Sequence, residues 1–108
     1  MKLWIDDVRP APEGYVWCKS VNETISTING INWNNHAMYD GTNYEPIELI
    51  DIDHDAGDYA SFGGDYIKLL DWLEETGRNY PIRIHSQNVV GVQNMRRIIQ
   101  RNGWTEVK

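Results

Sequence analysis

Residues 2–7 of the chain read KLWIDD, a short apolar run that ends in two adjacent acids. An apolar run of this length without alternation is typical of a strand buried in a parallel sheet. The pattern returns at residues 48–55, where a second apolar run ends in Asp53, His54 and Asp55. These two stretches predict the strands that decide the fold.

Further short strands are predicted around these two stretches. Residues 15–18 indicate a second strand, and residues 81–85 indicate a fourth. Residues 104–107 can add a short final strand. The first two strands are joined by the proline-rich residues 8–14, where no helix is expected. That pair can therefore lie antiparallel or simply side by side.

Three helices are predicted from capping residues and from hydrophobic residues at helical spacing. The first begins after Ser20, the second near Tyr66 and the third after Asn88. Each is followed by a glycine that can end it. Strands that alternate with helices predict an α/β domain with a mainly parallel sheet of four to five strands, in which the first crossover helix is missing.

The composition restricts the class of protein and of ligand. The 108 residues suffice for one domain, and 41% hydrophobic with 24% charged residues is typical of a globular chain. A net charge of −6 argues against a face that binds duplex nucleic acid, although a bound divalent cation still allows a small anionic ligand. The single cysteine, the early acids and the lack of a membrane-length apolar run predict a soluble cytoplasmic protein. The oligomeric state stays open.

Residues 31–46 show no clear period and are rich in asparagine, tryptophan and tyrosine. We interpret them as an irregular insertion, since long ordered loops in compact domains are often functional. Trp33 is the candidate ligand contact there, with packing as its alternative role.

Polar side chains follow three of the predicted strands at the point where each strand ends. They are Asp6 and Asp7, then Asp53 to Asp55, then His85 and Ser86. Ligands of open parallel sheets bind outside the carboxyl ends of the strands. Clustered carboxylates repel one another unless a cation is present, and their oxygens suit Mg²⁺, Mn²⁺ or Ca²⁺. We therefore expect a divalent-metal pocket at this edge, with Mg²⁺ or Mn²⁺ preferred, although an inward-pointing histidine would also admit softer metals.

Three motifs carry this edge: IDDVRP at residues 5–10, DHD at residues 53–55, and HSQN at residues 85–88 followed by Gly91. Together they resemble the cyclic-phosphate-processing receiver domains, and the resemblance covers nearly the whole chain. It implies one receiver-like or flavodoxin-like domain of three layers over residues 1–108. It also implies binding or hydrolysis of cyclic phosphates of nucleotides or of RNA ends.

The resemblance implies a role for each polar residue at this edge. Asp6 and Asp7 are similar to the acidic pair that holds a metal in receivers, and Asp53 lies at the position of the phospho-accepting aspartate. We predict metal ligands at Asp6, Asp7 and Asp53, catalytic residues at His54, Asp55 and His85, and ligand contacts at Arg9, Ser86, Asn88 and Trp33.

Arg9 and Ser86, like Trp33, have structural alternatives to these roles. Arg9 can clamp a phosphate, or it can pair with Asp7 or Glu13 on the surface. Ser86 can face the pocket, as its counterpart in receivers does, or it can help to cap the following helix.

Three hypotheses of function follow. The first is a metal-dependent phosphoesterase acting on a cyclic phosphate or cyclic nucleotide, with His54 or His85 as general acid or base. The second is a binding protein that sequesters a nucleotide-derived signal, as a phage inhibitor of nucleotide-signalling defence would. The third is a receiver that switches protein contacts. The missing late lysine of phosphorelay receivers counts against it, because Lys68 falls in a predicted helix and Lys108 at the terminus.

Overall fold

The structure, a computed structural model, describes residues 1–30 and 46–108. The regular elements within these ranges follow the predicted order, and they are β1 (Lys2–Ile5), β2 (Tyr15–Cys18), α1 (Val21–Ile28), β3 (Leu49–Ile52), α2 (Ile67–Glu75), β4 (Ile82–Ile84) and α3 (Val89–Asn102). A short 3₁₀ turn at Gly57–Ser61 lies in the loop after β3. The insertion predicted at residues 31–46 falls outside the described residues except at its last position, and Trp33 falls outside them as well.

The sheet has the order β2-β1-β3-β4, and each pair of neighbouring strands is parallel. This confirms the predicted α/β class with its parallel sheet, and it shows that the first two strands are parallel neighbours. Ile5 lies opposite Cys18 on one side and opposite Ile52 on the other. The three strands therefore end level with one another, and the residues after them meet at one edge.

The chain passes from β1 to β2 through residues 6–14 without a helix, as predicted. This connection runs towards one edge of the sheet, whereas the connections through α1 and α2 run towards the other edge. Because such crossovers are right-handed, connections that run in one direction place their helices on one face. α2 contacts both α1 and α3, so the described helices form a single layer. The described part of the chain thus has two layers, and the helix that would begin the expected third layer is the one missing after β1.

The two faces of the sheet differ in chemistry, since side chains alternate along each strand. The face under the helices includes the fully buried side chains of Leu3, Ile5, Cys18, Ile50, Ile52 and Ile82. Full burial of each leucine or isoleucine among them contributes about 1.5–3 kcal/mol. On the opposite face, one row of residues in register runs Trp17, Trp4, Asp51, Arg83. A buried acid therefore lies in the middle of the sheet.

Both predicted helix caps are present. The Ser20 hydroxyl accepts the backbone N–H of Glu23 at 3.0 Å, while the Glu23 carboxylate accepts the N–H of Lys19, the residue before the cap, at 3.0 Å. The Asn88 side-chain oxygen accepts the N–H of Gly91 at 2.9 Å. Each cap contributes about 1 kcal/mol. The caps fix the starts of α1 and α3 close to the edge where the strands end.

Residues 104–107 do not form the short final strand that was predicted. A single parallel bridge joins Glu106 to Ile82, so the described sheet has four strands. Gly103 ends α3 in the left-handed region, at φ 68°. No helix in the described ranges is long and apolar enough to cross a membrane.

Candidate functional site

Three carboxylates meet where β1 and β3 end, and we call Asp6, Asp7 and Asp53 the acidic cluster. One oxygen from each lies within 4.8 Å of the others. Backbone bonds continue the ladder past the strands, because Asp53 N–H donates to the Ile5 carbonyl at 2.9 Å and Asp6 N–H to the Cys18 carbonyl at 3.2 Å. The structure thus brings together the three residues predicted to hold a metal.

Asp6 is fully buried and is fixed through both of its oxygens. Its Oδ1 accepts the backbone N–H groups of Val8 and Arg9, each at 3.0 Å, and its Oδ2 lies 2.9 Å from His85 Nε2. Burial alone would raise the pKa of Asp6, but the two backbone donors and His85 together lower it. Asp6 is therefore ionised, and only Oδ2 keeps a lone pair for a further partner.

Asp7 and Asp53 have more oxygen lone pairs available to bind a cation than Asp6 has. Burial raises the pKa of Asp7, and the charges of Asp6 and Asp53 raise it further. Asp53 Oδ1 accepts the N–H of His54 at 2.7 Å, which leaves its other oxygen without a partner among the described residues. A divalent cation would relieve this repulsion, and an all-oxygen donor set suits Mg²⁺ or Mn²⁺. The residues present therefore fit the predicted metal.

Gly57 allows the loop after β3 to approach the acidic cluster closely. Its φ is +55°, and a Cβ there would collide with the Asp7 carboxylate. A side chain at this position would therefore be strained and would push the loop away from Asp7.

His85 lies between two buried carboxylates. Its Nδ1 is 2.6 Å from Asp51 Oδ1 and its Nε2 is 2.9 Å from Asp6 Oδ2. The Trp4 ring stacks on the imidazole with centroids 3.9 Å apart and planes 6° apart. Burial alone would lower the pKa of His85, but its bonds to Asp51 and Asp6 outweigh burial and raise it. The geometry is that of an imidazolium that donates from both nitrogens.

This arrangement bears on the catalytic role predicted for His85. A general acid or base needs a nitrogen that can reach the substrate, and both nitrogens of His85 are engaged. His85 therefore neutralises the charge of Asp6 and orients its carboxylate through Oδ2, while the backbone N–H groups hold Oδ1. Its catalytic role stays a prediction that this geometry does not favour.

Sequence reasoning missed Asp51, the partner that holds His85 from the opposite side. Asp51 is 1% exposed and also accepts from Arg83 Nη1 at 3.0 Å. Its signal was an acid inside the otherwise apolar strand LIDI. Trp4 is a second residue that sequence reasoning missed, because its ring covers His85 and its Nε1–H donates to the Arg9 carbonyl at 2.8 Å.

His54 has a different environment from His85. Its Nδ1 is 2.8 Å from Asp55 Oδ1, and Asn88 Nδ2 donates to both Asp55 oxygens at 3.3 Å. The bond to His54 and then the bond to Asn88 lower the pKa of Asp55. The ionised carboxylate assigns the ring proton to Nδ1. Nε2 then carries a lone pair and has no hydrogen-bond partner in the described ranges, so His54 can accept a proton or bind a ligand there.

Gly91, in the first turn of α3, lies directly against the His54 ring. A Cβ at Gly91 would lie 2.5 Å from both Cγ and Cδ2 of that ring. The glycine is therefore needed for close approach, since it lies in an ordinary helix where alanine would otherwise be favoured. We noted Gly91 only as part of the family motif and did not predict this contact.

The predicted ligand contacts are placed as follows. The Ser86 hydroxyl accepts the N–H of Asn88 at 3.2 Å, so both residues take part in starting α3. Arg9 is exposed, and its guanidinium makes no ion pair with Asp7, Glu13 or any other described residue. Their contacts with a ligand stay predictions.

A parallel α/β domain with an acidic cluster at the carboxyl ends of its central strands defines a receiver-like protein. The comparison with protein families makes this more specific, because the chain matches the Cyclic-phosphate processing Receiver domain over residues 1–101. The protein belongs to this family, and its membership associates it with cyclic-phosphate processing. No curated protein and no solved structure matches the chain.

Proposed function

We propose that the protein binds a cyclic phosphate ester of a nucleotide at the acidic cluster and opens the ester by metal-dependent hydrolysis. The observation that carries this proposal is a convergence at one edge of the sheet. Carboxylates that suit a divalent cation lie beside His54, whose Nδ1 is held by Asp55 and whose Nε2 has no described partner. Membership of the cyclic-phosphate family supports the substrate class.

Each residue has a distinct task in this proposal. Asp7 and Asp53 would hold the cation together with the remaining lone pair of Asp6. When bound, the cation would polarise a phosphoryl oxygen and lower the pKa of a bound water. His54 accepts a proton from the attacking water at Nε2 and returns it to the leaving oxygen of the ester, while Asp55 keeps the ring in that orientation. The exposed Arg9 guanidinium neutralises charge on the phosphate.

The test is to incubate the protein with Mn²⁺ or Mg²⁺ and a panel of 2′,3′-cyclic nucleotides and cyclic dinucleotides, followed by chromatography. Asp53→Asn should abolish metal-dependent turnover. His54→Gln should reduce turnover by about 10²–10⁴-fold, the usual contribution of a general base, while binding persists. Asp58→Asn is the matched control, because Asp58 is an exposed acid in the neighbouring turn and lies outside the acidic cluster.

The proposal is wrong if Asp53→Asn leaves both metal-dependent binding and turnover of every panel member unchanged. It is also wrong if the wild-type protein neither binds nor cleaves any of them in the presence of metal. Thermal shift with each metal and ligand gives the binding readout, because a ligand that binds only the folded state raises the midpoint.

Sequestration without cleavage is the second candidate, and the position of His85 favours it. Opening a cyclic ester needs a proton for the leaving oxygen as well as a base for the water. Since both nitrogens of His85 are engaged, His54 is the one described histidine available for either step. Tight metal-dependent binding with the ligand recovered unchanged would establish sequestration and exclude hydrolysis.

A further inference from the structure

A cavity separate from the acidic cluster lies between the start of α1 and the turn after β3. Its volume is about 320 Å³, and it is lined by Ser20, Asn22, Glu23, Tyr59 and Phe62. Phe62 is 53% exposed, and its ring centroid lies 6.3 Å from that of Tyr59 with the planes inclined by 44°. Two aromatic rings thus line a space of the size that small organic ligands use.

The turn that forms one wall of this cavity also contacts the acidic cluster. This turn, which contains Tyr59, begins at Gly57, whose backbone lies against the Asp7 carboxylate. The cavity is therefore connected to the site proposed for the phosphate through the short turn from Gly57 to Tyr59.

The cavity itself does not suit a phosphate. Two of the N–H groups at the start of α1 are already used, since Asn22 N–H donates to the Phe62 carbonyl at 3.1 Å and Glu23 N–H to the Ser20 hydroxyl at 3.0 Å. The Glu23 carboxylate in the wall would repel an anion. An uncharged ligand group with a flat apolar face meets neither difficulty.

The Asn22 side chain supplies the polar group that such a pocket needs. It is exposed and makes no hydrogen bond with another described residue. Its amide can both donate and accept, which matches the edge of a nucleobase. Aromatic rings bind bases by stacking with little dependence on base identity.

We propose that this cavity is a nucleobase subsite, in which the base stacks on Phe62 and packs against Tyr59, and Asn22 pairs with its edge. The proposal rests on the proposed function for one point only, namely that the same ligand places its cyclic phosphate at the acidic cluster. The base subsite can be tested without a phosphate or a metal.

The experiment is an NMR titration of the metal-free protein with adenosine, using ribose as the probe that lacks a base. Adenosine should shift the Asn22 side-chain amide and the ring signals of Tyr59 and Phe62, whereas ribose should not. Phe62→Ala should weaken adenosine binding by between about fivefold and a hundredfold, the range expected for loss of one stacking partner. Asn22→Ala, at an exposed position, is the second variant and should weaken it as well.

Val107→Ala is the matched control, since Val107 is an exposed hydrophobic residue that bonds to Ile82 at the other end of the sheet. A separate cavity of about 280 Å³, whose lining includes Glu74 and Trp104, also lies at that end. The NMR signals of its lining residues should not shift when adenosine is added. Shifts confined to that cavity, or equal affinity in wild type, Phe62→Ala and Asn22→Ala, would overturn the base subsite.

Failure of the subsite can be distinguished from failure of the proposed function. Metal-dependent binding of a cyclic nucleotide that is unchanged in Phe62→Ala and Asn22→Ala removes the subsite and leaves the proposed function intact. Adenosine shifts at the cavity without any metal-dependent phosphate binding support the subsite and remove the proposed function.

Discussion

The two described histidines show how one side chain takes opposite roles a short distance apart. His85 is 8% exposed, donates to two buried carboxylates and is covered by an aromatic ring. His54 is 14% exposed, and its one carboxylate partner, Asp55, is 61% exposed. The first is held on both nitrogens, and the second keeps one nitrogen unpaired among the described residues.

The difference is between a histidine that holds neighbouring carboxylates in place and a histidine that has a ring nitrogen available for a ligand. A charge held between buried partners cannot move without leaving one of them unpaired, which is costly at low dielectric. A histidine with an exposed carboxylate partner keeps its orientation but loses little when it binds a ligand. The acidic cluster therefore has a fixed positive charge beside Asp6, and the residue that follows Asp53 carries a ring nitrogen without a described partner.

The largest expected effect comes from removing the buried partner of His85. Asp51→Asn leaves the imidazolium with Asp6 as its one carboxylate partner among the described residues and leaves Arg83 without its carboxylate. Loss of one member of a buried ion pair typically costs about 3–5 kcal/mol. Urea denaturation of the metal-free variant should show a decrease in the free energy of unfolding of this size.

Asp55→Asn is the matched control, because it makes the same chemical change at the carboxylate of His54. Since Asp55 is 61% exposed, we expect a loss of less than about 1 kcal/mol. Equal losses in the two variants would contradict the contrast between the buried and the exposed pair.

A smaller effect is expected at Gly91, which lies against the ring of His54. Gly91→Ala should destabilise the protein by about 1–3 kcal/mol, because the added methyl group overpacks a buried contact. In a His54→Ala background the same change should be neutral or stabilising by up to about 1 kcal/mol, since alanine is the better helix former. Denaturation of the four proteins gives the coupling between the two sites.

A Gly91→Ala effect that is identical in both backgrounds would show that the ring is not what requires the glycine. The double-mutant comparison is needed because overpacking and helix propensity act in opposite directions at this position.

Much of the fold was predictable because its signals are local. The apolar run before Asp6 and Asp7, the cap at Ser20 and the glycine at Gly103 each constrain a few neighbouring residues, and the structure has elements where they indicate them. The parallel pairing of β1 with β2 could not be predicted from local signals. It depends also on the pairing of β1 with β3, and no property of residues 8–14 specifies that pairing.

The acidic cluster was predictable because parallel strands deliver their following residues to one edge. The partners of the histidines were not predictable. His85 meets Asp51 because β3 and β4 pair in one register, and a register is set by the packing of the whole sheet. Gly91 is needed because a ring from another element lies against it, which has no signature in the residues around Gly91.

The smallest expected effect is the pH dependence that distinguishes His85, because titration changes one proton and leaves every side chain in place. The pKa of His85 is raised in the folded state, so its contribution to stability is fully present below about pH 6.5, the ordinary histidine value. That contribution to stability is lost as the pH rises through the pKa that His85 has in the folded state. The free energy of unfolding in chelator should therefore decrease as the pH rises above about 6.5 in wild type and decrease less in His85→Gln. The thiol of Cys18, whose pKa burial raises to about 11, stays protonated until the pH nears that value.

His54→Gln is the control that reports the contribution of the other described histidine to the pH dependence. A pH profile of His85→Gln that matches wild type would show that His85 is not held as an imidazolium.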